Sequence, residues 1–365
     1  MGDRLRFAIA GASKRSDYLY APLLNTLKDD VELVGIWDRS GEKGQAFGER
    51  NHIPAFTDLS RLRDAVRPDA VIVSVANSAN GEIGRRVIEL GCHALLETPI
   101  ATSLEDADAI IRSAQGQNLK VEVAEQYYRR PMERLKKALI DAGIFGRVLV
   151  ACSDFMGHAY HGISLIRSCV GFDVPVLSVN CTSAEFSVAP HYSWIDRRQE
   201  ERREEWEHGV MHFANGSKGF FDWSGLSYDS ALRWQRSTRF FAERGMGVGE
   251  RWTVLSPDGK DPQRIPVERH IHNVGGMETL SELVAHTTPE IIWRNPFRGY
   301  AMDDETIAVA ACLMSLVNAI REDGRPEYGP VQARLDQQVY LGMLTSAAAA
   351  GQTVELTSTS TKNAE

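Results

Sequence analysis

Several things this 365-residue chain lacks narrow what it can be. It has no cysteine pairs. Cys92, Cys152, Cys169, Cys181 and Cys312 are odd in number, widely spaced and without a CxxC, the pattern of reduced thiols in a cytoplasmic protein. It has no excess of basic residues: 41 Lys+Arg stand against 49 Asp+Glu, a net charge of −8, which disfavours nucleic acid as a partner because phosphate contacts need clustered positive charge. It has no apolar run of the ~18 residues a membrane span needs. The longest, Ile307 to Ile320, is interrupted by Ser315 and Asn318, so no membrane partner is expected. The opening MGDRLRFAIAGAS leads straight into a strand and a glycine turn, so no targeting segment is expected either. No GxSxG elbow follows a strand, which disfavours an α/β-hydrolase. No metal site is expected, because His191, His208, His212, His270 and His272 are scattered over strands without a Cys or paired acid beside them.

What remains is a globular composition, 43% hydrophobic and 25% charged, with a length that suits about two domains of roughly 150 residues. Over the first 125 residues short apolar runs alternate with helical patterns. Leu5 to Ala10, Val31 to Ile36, Asp69 to Val75, Ala94 to Leu96 and Leu119 to Val123 read as strands, with helices near 18–28, 42–50, 58–66, 80–91 and 103–117. That alternation predicts a doubly wound parallel sheet with helices on both faces. After Pro131 the pattern changes: helix 131–142, strand Val148 to Phe155 and helix 161–170 precede strands separated by turns at Asn215-Gly216 and Pro257-Asp258-Gly259. Consecutive strands joined by hairpins predict a largely antiparallel sheet. Helices 304–321 and 331–350 follow, and the tail TSTSTKNAE is expected to be disordered. The run Asp196 to Glu207, with ten charges in twelve positions, reads as a solvated helix or loop laced with i,i+4 pairs, or as an excursion that brings arginines to an anionic substrate.

Gly11 follows the first strand and precedes a helix, where a dinucleotide fold turns sharply and sets pyrophosphate on a helix N-terminus. The run Gly11-Ala12-Ser13-Lys14-Arg15-Ser16 keeps only the first glycine of GxGxxG. Ser13 and Ser16 offer hydroxyls, and Lys14 and Arg15 add positive charge. Asp38 ends the second strand 22 residues beyond Ser16, close to where an acid accepts hydrogen bonds from the adenosine ribose. A carboxylate there repels a 2′-phosphate, so NAD is favoured over NADP, while the adjacent Arg39 could stack on adenine or hold a phosphate.

These residues resemble the glucose-fructose oxidoreductase and inositol dehydrogenase family (Gfo/Idh/MocA) over almost the whole chain. The resemblance rests on Phe7 to Gly11 through Tyr20-Ala21-Pro22, on Ala76-Asn77-Ser78-Ala79-Asn80, and on Glu97-Thr98-Pro99 at the family's "EKP". It rests also on Val123 to Pro131, on His161 to Gly171, and on the closing segment Leu316 to Leu356. It implies an NAD-binding Rossmann domain over 1–125 and a substrate-binding and oligomerisation α+β domain with an open, mostly antiparallel sheet over 126–356, before the expected disordered tail over 357–365. It implies further a homodimer or homotetramer and a sugar or cyclitol substrate. Val75, Ala76, Asn77, Asn80, Glu97, Thr98 and Gln126 join Gly11, Ser13, Lys14, Arg15, Asp38 and Arg39 as the cofactor-binding set that the resemblance implies.

The sequence departs from the family where the chemistry sits. The family's base is the lysine of EKP, assisted by an Asp and a His four residues apart; here Thr98 takes the lysine position and Gly157 the Asp position, while His161 is kept. Threonine cannot act as a base near neutral pH, whereas an imidazole titrates there. His161, His158, Tyr127 and Tyr128 are therefore the candidate catalytic residues. Three functions stay open: a dehydrogenase acting on a ring carbinol, an NAD-dependent glycosidase or lyase that oxidises, eliminates and re-reduces, and a non-catalytic NAD-binding regulator. Arginines 129, 130, 167, 197, 198, 202 and 203 leave an anionic sugar among the admissible substrates.

Overall fold

The computed structural model describes residues 4–193 and 199–357. The chain divides into two units. Unit 1 is Met1–Arg129 with His272–Thr279 and Pro296–Gln337; unit 2 is Arg130–Ile271 with Leu280–Asn295 and Gln338–Glu365.

Unit 1 is built on six parallel strands, β1 (Leu5–Ala10), β2 (Val31–Trp37), β3 (Ala55–Phe56), β4 (Ala70–Val73), β5 (His93–Leu96) and β6 (Val121–Val123), in the order β3-β2-β1-β4-β5-β6. Phe7 to Ala10 of β1 and all of β4 are buried, as strands covered on both faces must be. Five helices connect the strands: α1 (Ala21–Thr26), α2 (Gly41–Asn51), α3 (Leu59–Val66), α4 (Asn77–Glu89) and α5 (Leu104–Gly116). Their starts follow the sequence. Ser40, Asp58 and Ser103 accept the N–H groups of Lys43, Arg61 and Asp106, each cap contributing about 1 kcal/mol. The strand order reverses between β1 and β4, and that switch point gathers Gly11, Asp38, Ser74 and Glu97 at the carboxyl ends of β1, β2, β4 and β5.

Unit 2 opens with α6 (Pro131–Asp141), β7 (Val148–Asp154) and α7 (Ala159–Val170). A long hairpin follows, β8 (Val176–Tyr192) and β9 (Gln199–Phe213), then β10 (Lys218–Ser224), the short α8 (Gly225–Asp229), β11 (Ser237–Ala242), β12 (Gly245–Val248), β13 (Arg251–Leu255) and β14 (Pro262–Ile265). The sheet runs β14-β13-β12-β11-β7-β10-β9-β8 and is antiparallel except for the β7–β10 pair. A small sheet of β15 (Val267–Val274), β16 (Met277–Ala285) and β17 (Ile291–Arg294) was not foreseen beyond residue 270; β15 and β17 are largely exposed and carry little hydrophobic pattern, whereas β16 buries Leu280, Leu283, Val284 and Ala285. The chain closes with α9 (Asp304–Arg321), α10 (Pro330–Ala348) and β18 (Val354–Glu355), the last pairing with β8.

Three expectations are corrected. The part of the charged run that is described, 199–207, is neither helix nor loop but the first half of β9, where side chains alternate between faces and Arg203 pairs with Glu185 of β8 across the ladder; residues 196–198 lie outside the described residues. Helix α9, expected in the second domain, belongs to unit 1 and packs on β5 and β6. Its Ser315 donates to Glu122 of β6 at 2.6 Å, beside the buried Arg129–Glu122 ion pair. Of the tail, Thr357 is tied down by the Gln338 amide at 3.0 Å, and 358–365 lie outside the described residues. Among the described residues no helix is long and apolar enough to cross a membrane.

Candidate functional site

In unit 1 the turn after β1 is closed by the Gly11 N–H, which donates to the Trp37 carbonyl at 2.7 Å. Gly11 has φ +109°, and a Cβ there would stand 2.3 Å from the Ser74 carbonyl oxygen. Only glycine suits this position. Asp38 sits against the same turn: one carboxylate oxygen accepts the Ala12 N–H at 2.8 Å and the other accepts the Ser40 N–H at 2.7 Å. The carboxylate is thus fixed at the end of β2, next to the turn.

The loop serines face inward. The Ser13 hydroxyl shares hydrogen bonds with Ser16 at 3.0 Å and Ser74 at 2.9 Å, and the Ser16 hydroxyl donates to the Gly11 carbonyl at 2.6 Å. Serines at the second and third motif positions therefore replace glycine's flexibility with a hydroxyl network that stiffens the turn. Lys14 stands exposed, but Arg15 does not act as a free cation: its Nε and the Tyr20 hydroxyl both donate to Glu97. Burial opposes the charge of Arg15, yet Glu97 and Tyr20 outweigh it and hold the guanidinium pKa above its ordinary value. Burial, reinforced by Glu97, likewise raises the Tyr20 phenol, so it remains a neutral donor.

At the end of β5 the Asn80 amide donates to the carbonyls of Glu97 at 2.6 Å and Pro99 at 2.7 Å, while the Thr98 N–H donates to Glu97 at 3.2 Å. The Asn80 Oδ1 and Gln126 Oε1 atoms are buried without a hydrogen-bond partner among the described residues. Val75 is half-buried, and Ala76, Asn77 and Arg39 are exposed around this rim. A groove of about 770 Å³ along α2 and β3, lined by Gly44, Gly48, His52 and Thr57, contains none of these residues.

Tyr128 is turned into the interior of unit 1. It is fully buried, its ring lies 5.7 Å from that of Tyr328, and its hydroxyl accepts from Arg129 at 3.0 Å. Tyr127 is buried, with its N–H donating to Glu125 at 3.0 Å.

In unit 2, His158 and His161 do come together. Their rings are 4.8 Å apart at the start of α7, within a cluster that the sequence pattern did not reveal: Tyr160, Trp223 and Tyr228 lie 5.6, 5.3 and 5.5 Å from the His158 ring. Arg233 and Arg236 stand over the Tyr228 ring at 5.7 and 5.6 Å. Burial first, then His161 and Arg236, push the His158 pKa down to about 3, so this imidazole is neutral and a poor proton acceptor at neutral pH. Phe155 and Ala159, on either side of it, have φ of +56° and +43°, an unusual backbone for non-glycine residues.

The arginines expected to receive an anion are mostly engaged within the chain. Arg129 pairs with Glu122, Arg167 donates to the Phe172 carbonyl, Arg202 pairs with Asp229 and Arg203 with Glu185. Arg197 and Arg198 lie outside the described residues. Nor is His191 isolated: it meets Glu204 and Asp229, with the candidate ligand atoms of all three within 4.8 Å of one another.

Residues 5–125 match the family described as "Oxidoreductase family, NAD-binding Rossmann fold" (GFO_IDH_MocA). D-glucoside 3-dehydrogenase of Escherichia coli is 32% identical over 112 residues, covering 30% of this chain and 32% of that protein. The 2,7-anhydro-N-acetylneuraminate hydratase of Mediterraneibacter gnavus is 29% identical over 145 residues, covering 39% of this chain and 37% of the relative. The chain therefore spans only about a third of the length of either relative. The WlbA dehydrogenase of Bordetella pertussis, solved with NADH and UDP-GlcNAcA, shares the fold with a TM-score of 0.68 at 18% identity, over 97% of this chain and 99% of that one. Residues 5–125 are thus an NAD-binding Rossmann domain of the Gfo/Idh/MocA oxidoreductase family.

Proposed function

We propose that the protein is an NAD-dependent oxidoreductase acting on a ring carbinol of a sugar, glycoside or cyclitol. The observation that carries this reading is the Asp38 carboxylate, locked by the Ala12 and Ser40 N–H groups beside a turn that only glycine can make. That arrangement suits ribose hydroxyls and repels a 2′-phosphate, which favours NAD over NADP. When bound, NAD supplies the acceptor for a hydride. Gly11 lets the turn close tightly against Ser74, Lys14 adds charge, and the buried Gln126 Oε1 and Asn80 Oδ1 are acceptors in want of a donor.

Oxidising a carbinol also releases a proton, and Thr98 cannot take it. We assign that proton to His161. His158, held neutral by burial and by Arg236, positions the His161 ring and does not itself serve as the base. The aromatic faces of Tyr228 and Trp223 suit the apolar side of a sugar ring.

A second reading is favoured by Thr98 and Gly157, which replace the lysine and Asp of the family, and by the hydratase among the relatives. In it a glycosidic or ether bond would be eliminated with no net change in the redox state of bound NAD. Incubation with sugars, cyclitols and nitrophenyl glycosides, with and without added NAD, tests both. Net NADH supports the dehydrogenase, and aglycone release without net NADH supports the cycling reaction. Neither signal across the panels would overturn both readings.

A further inference from the structure

His191 stands near the end of β8, just past the ladder irregularity between Val188 and His191, the kind of bulge that re-aims a side chain. Its Nδ1 lies 3.2 Å from the Ala189 carbonyl oxygen. A carbonyl can only accept, so Nδ1 carries the hydrogen, and in the neutral ring Nε2 presents a lone pair. That lone pair faces Asp229 Oδ1 at 3.6 Å. Both atoms are shut off from water, neither has a hydrogen-bond partner among the described residues, and Asp229 is only 7% exposed. With a neutral ring these are two buried acceptors facing each other, a costly arrangement unless a proton or a metal cation lies between them.

The surroundings fit one. The other Asp229 oxygen accepts from the Ser193 hydroxyl at 3.0 Å and from Arg202 at 3.1 Å, which fixes the carboxylate's orientation. A ring N–H on a backbone carbonyl is the usual outer support of a metal-binding histidine. Glu204 of β9 brings a second carboxylate, and all three ligand atoms lie within 4.8 Å of one another. Gly225, the first residue of α8, leaves room for it, since a Cβ there would stand 2.6 Å from Glu204 Oε2. Two ligands each about 2.1 Å from a tetrahedral ion stand about 3.4 Å apart, close to the His191–Asp229 separation.

We propose that His191, Glu204 and Asp229 form a binding site for a divalent first-row cation of the Zn²⁺ or Mn²⁺ kind. One imidazole with two carboxylates suits these ions better than Mg²⁺ or Ca²⁺. The ion ties the β8–β9 hairpin to α8, whose Tyr228 is the residue before Asp229 and packs against His158. Its place is thus to brace the aromatic cluster around the histidines, and it does not depend on the cofactor.

The test is Mn²⁺ titration of EDTA-dialysed full-length protein, followed by the loss of the free-ion EPR signal, with Zn²⁺ as competitor. One Mn²⁺ per chain, displaced by Zn²⁺, is expected, with affinity falling about 100-fold or more in Asp229→Asn and in His191→Ala. Circular dichroism checks that each variant folds. If either does not, Glu204→Gln and Gly225→Ala decide, each expected to weaken binding about tenfold or more. No saturable uptake, or uptake unchanged in the folded variants, overturns the site.

Discussion

A Cβ on Gly157 would stand 2.7 Å from the Cβ of His161 and 2.9 Å from the Gly162 nitrogen. The glycine at the position of the family's Asp is therefore built into the packing of the first turn of α7, and the carboxylate cannot simply be put back. Gly157→Asp is expected to destabilise unit 2 by about 1–3 kcal/mol, the range for overpacking, and to leave turnover no higher. Urea denaturation together with NADH formation checks this. An unchanged midpoint with faster turnover would show that the missing Asp is a replaceable part.

His161 is assigned the proton, so His161→Ala should lower turnover by about a hundredfold with little change in NADH binding. A steady-state assay on whichever sugar of the panel gives NADH reads the first quantity, and fluorescence titration reads the second. Undiminished turnover removes His161 from the chemistry.

The neutral His158 leaves a signature in stability. The folded ring protonates only near pH 3, the unfolded one near 6.5. The stability linked to this ring is present above pH 6.5 and is lost as pH falls, at about 1.4 kcal/mol per pH unit, until the folded pKa is reached. Between pH 7 and 5 the denaturation midpoint of the natural protein should fall more steeply than that of His158→Phe. Parallel pH profiles would contradict the depressed pKa.

In unit 1, Arg129 and Glu122 form a fully buried pair at 2.6 Å that also takes up Ser315 of α9. Glu122→Ala strands the guanidinium and should cost about 3–5 kcal/mol. Arg129→Met with Glu122→Leu, which removes both charges, should recover much of that loss. Chemical denaturation of the single and double variants measures it, and a loss in the double variant equal to the sum of the single losses would mean that the pair is not coupled.

Much of the first unit was legible because its signals are local. β1, β2 and the capped helices follow from period and from residues such as Ser103, and Gly11 and Asp38 follow from a strand, a turn and a spacing. What escaped depends on contacts far apart in sequence. The charges of 199–207 suit helical i,i+4 spacing and strand alternation alike, and only pairing with β8 decides between them. Tyr128 and Arg129 read as residues near a site until Glu122, Ser315 and Tyr328 close around them. Trp223, Tyr228 and Arg236 reach His158 from elements 65 or more positions later, as Glu204 and Asp229 reach His191, and no motif marks them.

The central claim is an NAD site governed by Asp38, and the most direct test is a comparative titration of NADH and NADPH against the natural protein and Asp38→Asn. The natural protein should bind NADH at least about tenfold more tightly than NADPH, a difference of about 1.4 kcal/mol. Asp38→Asn should weaken NADH binding and narrow or reverse that preference. Equal affinity for the two cofactors, or a preference untouched by the substitution, would contradict the account.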